Sequence, residues 1–139
     1  NIHVASIASV RGDYTVIITS GVVRPLDGGV TGVATVDFIN QFKADYAVLC
    51  ASGMEADGSL LDFDFKEVSV MQAMMRNART RFLTVDYGKS SRTALVRMGS
   101  VTEFDAVFTD RPPDAAIQKL LADAGINCRV SPRNADGQI

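Results

Sequence analysis

The chain has 139 residues, of which 47% are apolar and 22% charged, a composition that excludes a wholly disordered chain and fits one folded domain. Lys and Arg number 14 against 16 Asp and Glu, so the net charge of -2 offers no basic surface for gripping a phosphate backbone. Apolar runs such as Val16-Ile17-Ile18 and Ala47 to Ala51 are too short to cross a bilayer, and no leader pattern precedes them. Cys50 and Cys128 sit in apolar runs and are expected as free, buried thiols of a cytoplasmic protein. With a single histidine, His3, they cannot assemble a zinc site, and no metal or cofactor is expected.

In chain order, Tyr14 to Thr19 is a β-branched run that predicts a buried strand ending before Gly21. Arg24 to Gly29 is a turn-rich loop, closed by Gly32. Val33, Val36, Ile39 and Phe42 share helical spacing, and Lys43 follows where a cation suits the helix dipole. Asp45 to Ala51 predicts a second strand, and Ser52 to Asp62 a loop rich in glycine and acids. Asp64 and Glu67 form an Asp-x-x-Glu capping pattern for a helix over Phe65 to Arg79, with Val68, Met71, Met75 and Ala78 on one face. Phe82 to Asp86 predicts a third strand, Ala94 to Met98 a short extended piece, and Asp105 to Thr109 a fourth strand. Pro112 and Pro113 open a helix that runs to Ala124 and stops at Gly125, before a fifth strand at Ile126 to Val130. Ser131 to Ile139 predicts a polar, frayed tail after a domain spanning residues 1–130.

Strands alternating with helices predict an α/β domain with a parallel or mixed sheet flanked by helices. Such sheets bind ligands outside the carboxyl ends of their strands. The loops to search are therefore Gly21 to Gly32, Ser52 to Asp62, Asp86 to Ser91 and Thr109 to Pro113. Gly88-Lys89-Ser90 superficially resembles a P-loop, but Leu83 stands where the motif needs its first glycine, so nucleotide hydrolysis is not expected. Lys89 itself follows a strand end, where an ammonium either meets a phosphate or carboxylate or stays an ordinary solvated lysine. Residues 53–64 fail as a calcium loop, because Gly53 occupies the first ligand position and Asp64 the twelfth. Glu55, Asp57, Asp62, Asp64 and Glu67 could serve acid–base chemistry, against competing jobs in a turn and a helix cap. Spacing alone yields an α/β domain with an anion-friendly edge built from Arg24, a glycine loop and Lys89.

Taken together, the loops carry a resemblance. Gly21-Val22-Val23-Arg24, Gly28 to Gly32, Asp45-Tyr46-Ala47, Ala51-Ser52-Gly53, Gly58 to Asp62, Asp86 to Lys89 and Thr109-Asp110 resemble, in order, the effector domain of the DeoR family of bacterial repressors. Further runs, including Asp57 to Leu61, Asp64 to Val68 and Ala94 to Ser100, are similar to the branch of that family that governs glycerol 3-phosphate metabolism. The resemblance implies a fold of the ribose-phosphate-isomerase and CoA-transferase type without the enzyme's activity. It implies a sensor that binds a phosphorylated sugar or polyol, sn-glycerol 3-phosphate first, and lowers the DNA affinity of an oligomeric repressor. It also implies that the DNA-binding helix-turn-helix and the first part of the sensor lie outside this chain, with Asn1 to Ala5 opening an internal helix. At the ligand cleft it puts Gly21, Arg24, Ser52, Gly53, Asp86 and Lys89, with Lys89 as first charged partner and Arg24 as second. Asp62 or Glu55 would accept hydrogen bonds from polyol hydroxyls. The sequence departs from the family at Tyr87-Gly88 before the lysine and at Gly53-Met54-Glu55, where the acid is one methylene longer. The alternative is a sugar-phosphate isomerase or CoA-transferase on the same fold, with Glu55 as base.

Overall fold

The computed structural model describes residues 1–25, 27–90 and 92–131. In chain order it has α1 (Ile2–Ser9), β1 (Val22–Val23), β2 (Val30–Thr31), α2 (Val33–Ile39), β3 (Ala44–Cys50), β4 (Gly53–Met54) and β5 (Ser59–Asp62). It continues with α3 (Phe65–Asn77), β6 (Ala78–Thr84), β7 (Val96–Ser100), β8 (Ala106–Thr109), α4 (Ala115–Asp123) and β9 (Asn127–Val130). The frame is a parallel sheet in the order β3-β6-β8-β9. The α/β expectation is met, and the β5-to-β7 region adds a separate antiparallel sheet, β4-β5-β7.

Alternation along the parallel strands decides which face is core. Ala47 and Leu49 of β3, Leu83 of β6 and Val107 of β8 are buried against Val68, Met71 and Met75 of α3 and Ile117 and Leu121 of α4. Burying one such Leu completely is worth about 1.5–3 kcal/mol. The opposite face carries Tyr46 stacked on Phe82 at 5.5 Å, with Phe108 edge-on at 5.6 Å. Tyr46 and Val48 on that face stay 65% and 59% exposed, so among the described residues only one face of the sheet is fully packed.

Several sequence expectations change here. Tyr14 to Thr19 forms no strand: no ladder partner among the described residues reaches it, and Ile17 and Ile18 remain exposed. β-Branched composition supplies propensity, but a strand needs a neighbour to take its N–H and C=O groups. Cys50 is exposed rather than buried, because it continues the Tyr46–Val48 face, and Cys128 is half-buried. The stretch Ser52 to Asp62 contains a hairpin instead of a plain loop. Its turn brings Gly58 to φ +83°, while the Glu55 N–H donates to the Ser59 carbonyl at 3.0 Å. Asp64 caps α3 as expected, accepting from the Lys66 N–H at 2.9 Å. Glu67 does not complete the reciprocal box; its carboxylate turns to Arg24. Strand β6 starts at Ala78, directly after α3, because Ala78 already pairs with Ala44 of β3. Helix α4 begins two residues past the proline pair, at Ala115. The tail expected over Ser131 to Ile139 lies outside the described residues except for Ser131, whose N–H donates to the Thr109 carbonyl.

Candidate functional site

The parallel strands deliver Cys50, Thr84 and Thr109, the last residues of β3, β6 and β8, to the floor of a cleft of about 580 Å³. This is where an open parallel sheet offers a crevice. Ser131, just past β9, closes the far side. Thr84 donates its hydroxyl to the Leu49 carbonyl and Thr109 to that of Arg111, which fixes both strand ends.

One wall comes from the ribbon β1–β2 and the start of α3. The loop between the two short strands is held by the Arg24 N–H on the Gly29 carbonyl at 2.8 Å and by Asp27 accepting from the Gly29 N–H at 3.0 Å. Arg24 then reaches α3. Its guanidinium pairs with Glu67, with Asp64 at 3.7 Å and with Asp27 at 3.3 Å. A planar fork can serve several carboxylates at once, and this one ties the ribbon to the helix.

The other wall is the turn after β6. Asp86 accepts from the Gly88 N–H at 2.9 Å and caps a single 3₁₀ turn over Tyr87–Lys89. Asp110, in the loop after β8, accepts from the Tyr87 N–H at 2.7 Å. The turn is pinned from both sides, and it carries Lys89 into the cleft. The Lys89 ammonium makes no ion pair among the described residues.

The remaining wall is Asp62, only 3% exposed, at the end of β5. Its carboxylate accepts from the Phe63 N–H at 2.7 Å and the Asp64 N–H at 3.4 Å. Cys50 lies between these groups. Although exposed as a residue, its thiol is crowded by the cleft walls, and this desolvation holds it above its ordinary pKa. Asp62 adds to the rise and Lys89 opposes it. The thiol is therefore protonated at neutral pH and is no nucleophile there.

Of the residues singled out from the sequence, Arg24, Ser52, Asp62, Asp86 and Lys89 line this cleft together. Gly53 is buried beside it in β4, where a Cβ would stand 2.1 Å from the Arg92 carbonyl oxygen. Gly21 lies outside the cleft: its φ is +148° and a Cβ there would meet the Thr35 hydroxyl at 2.2 Å, so it packs the ribbon on α2. Glu55 also lies outside, lining a separate small pocket with Arg92 and Asp114. Sequence reasoning missed Cys50 and Thr84, both findable as the terminal residues of parallel strands. Glu67, weighed from the sequence as an acid–base candidate against a helix cap, lines the cleft paired with Arg24. Among the described lining residues, the carboxylates of Asp27, Asp62, Glu67, Asp86 and Asp110 face two cations, Arg24 and Lys89.

A parallel sheet with its crevice at the carboxyl ends, walled by a glycine-turned ribbon and a lysine-bearing turn, is the arrangement of a small-molecule sensor domain. The model of the DeoR C-terminal sensor domain family matches residues 1–111, and the chain belongs to that family. It is 44% identical over 130 residues to the glycerol-3-phosphate regulon repressor of Escherichia coli (strain K12), covering 94% of this chain and 52% of that protein. Identity is 36% over 120 residues to the protein of the same name in Haemophilus influenzae, covering 86% of this chain and 47% of the relative. The HTH-type transcriptional repressor CsqR of Escherichia coli is 34% identical over 126 residues, covering 91% of this chain and 48% of the relative. The chain thus spans about half the length of these relatives, all named as transcriptional repressors. No helix among the described residues is long and apolar enough to cross a membrane.

Proposed function

We propose that this chain is the effector-sensing part of a cytoplasmic, oligomeric transcriptional repressor that takes up a phosphorylated polyol, with sn-glycerol 3-phosphate as the first candidate. The observation that carries this reading is Lys89. It is an ammonium without an ion pair among the described residues, held by a pinned turn in a strand-end cleft beside the buried carboxylate of Asp62. An ammonium suits a phosphate oxygen, and a carboxylate, which only accepts, suits alcohol hydroxyls. The names of the relatives at 44% and 36% identity support glycerol 3-phosphate in particular. Ser52, Asp86 and the backbone around Gly53 shape the remainder of the pocket.

Binding lowers operator affinity only if the ligand prefers one of two states of the assembly; a ligand bound equally by both shifts nothing. DNA contact belongs to a helix-turn-helix elsewhere in the full-length protein. The domain itself acts without chemical turnover: Glu55, the base required by an isomerase or CoA-transferase, lines a pocket apart from the cleft. The test is a fluorescence-anisotropy titration of the full-length protein on its operator. Millimolar glycerol 3-phosphate is expected to release the DNA, and Lys89→Met to abolish the response. Unchanged anisotropy with every sugar and polyol phosphate sinks the sensor reading, while a response to a different phosphate keeps the sensor and changes its effector.

A further inference from the structure

We infer that the loop between β1 and β2 is a transmitter: filling the cleft shifts it, and the loop carries that shift to helix α1. The inference rests on the sensor reading and goes beyond it by naming the element that answers the ligand. The loop has two working sides. On one, the side chains of Arg24 and Asp27 line the cleft, paired at 3.3 Å. On the other, its backbone holds the first turn of α1. The Asn1 side-chain amide donates to the Asp27 carbonyl at 2.8 Å, and the Ile2 N–H donates to the Gly28 carbonyl at 2.8 Å. Gly28 is buried against that turn at φ +69°, and a Cβ there would stand 2.6 Å from the His3 ring and 2.8 Å from Ile2. Asp27 therefore reaches the cleft through its carboxylate and α1 through its carbonyl.

Helix α1 is suited to move. Among the described residues none of α1 is buried, Val4 and Ile7 lie exposed, and the hydrogen bonds from its first turn to other elements end on Asp27 and Gly28. An element with so little burial belongs to the low-stability end of a fold, so a shift of the loop costs it few contacts. The ligand supplies the shift through charge. The Cys50 thiol is acted on by Asp27 and Lys89 together, so the loop and the lysine-bearing turn face each other across it. A phosphate seated at Lys89 attracts the Arg24 guanidinium and repels the Asp27 carboxylate, and both forces fall on the same loop. The differential contact that coupling requires is thus made at the loop, and α1 reads it out.

Hydrogen exchange of the full-length protein, followed by mass spectrometry with and without saturating sn-glycerol 3-phosphate, tests this. The amides of α1 are expected to change their exchange rate by at least about fivefold, the low end of allosteric couplings. Gly28→Ala disturbs the junction with α1 and adds nothing to the cleft. It is expected to keep ligand affinity near wild type while operator release is lost and α1 no longer answers the ligand. A merely structural role would not separate binding from release. Should Gly28→Ala fail to fold, Asn1→Ala cuts the bond to Asp27 and carries the same expectation. Bound ligand that protects the Tyr87–Lys89 turn yet leaves α1 exchange unchanged overturns the inference and leaves the sensor reading standing. A junction variant that releases the operator like wild type, or that loses ligand affinity, overturns it too. If glycerol 3-phosphate does not bind, the sugar or polyol phosphate that does is the probe; if none binds, both readings fall.

Discussion

Two cations share the cleft and behave differently. Arg24, in the ribbon loop, has three carboxylates within ion-pair reach and holds β1–β2 against the start of α3. Lys89, in the turn after β6, has none among the described residues, while its turn is fixed by Asp86 and Asp110 accepting backbone N–H groups. One cation supports the architecture and the other is positioned by it. A basic residue in a crevice is thus not a ligand residue by location alone; the negative charges already around it decide.

The sharpest test exchanges the two roles. Lys89→Met is expected to lower the affinity of the full-length protein for glycerol 3-phosphate by about 10- to 100-fold, the worth of a charge-assisted hydrogen bond. Its unfolding free energy should change by no more than about 0.5 kcal/mol, since the ammonium has no ion-pair partner among the described residues. A Lys89→Met protein that unfolds much more easily would break the contrast. Arg24→Met is expected to do the reverse. It leaves Asp27, Asp64 and Glu67 facing one another, and urea unfolding should show a loss of about 1–3 kcal/mol, part of it like-charge repulsion that added salt relieves.

A smaller effect reads the field between them. The Cys50 thiol is held above its ordinary pKa by desolvation and by Asp62, so alkylation with iodoacetamide should be slow at pH 7 and climb through alkaline pH. Asp62→Asn removes a charge that raises the pKa and should speed the reaction; Lys89→Met removes one that lowers it and should slow it. Equal rates in all three proteins would mean that Cys50 does not sense the cleft.

The smallest effect lies at the hairpin. The Ser59 backbone N–H, donating to Asp57 at 2.8 Å, holds that carboxyl below its ordinary value of 3.8. A depressed folded-state pKa contributes stability that is fully present above 3.8 and fades as pH falls through the lower folded value. Acid unfolding followed by circular dichroism should therefore differ between wild type and Asp57→Asn above that range and converge below it. A difference that grows as the pH falls would have the wrong sign.

Much of the frame was legible because local chemistry marks it. The helical spacing of Val68, Met71 and Met75, the Asp64 cap, and the alternation of strands and helices depend on neighbours a few residues away, and the structure keeps them. The expectations that failed needed distant partners. Tyr14 to Thr19 has strand composition but no ladder beside it among the described residues. Glu67 has a capping position, yet a guanidinium 43 residues away competes successfully for it. Glu55 and Asp62 look alike as acids of one hairpin, and only the fold sends Asp62 into the cleft and Glu55 out of it.

By itself, then, the amino-acid sequence determined the α/β class, the strand-end loops and the turn that carries Lys89, because periodicity, caps and glycine turns act within a few residues. The tertiary structure alone decided how charge is distributed in the cleft. That balance depends on which carboxylates lie within a few ångströms of each cation, and Coulomb energy follows distance in space, not separation along the chain.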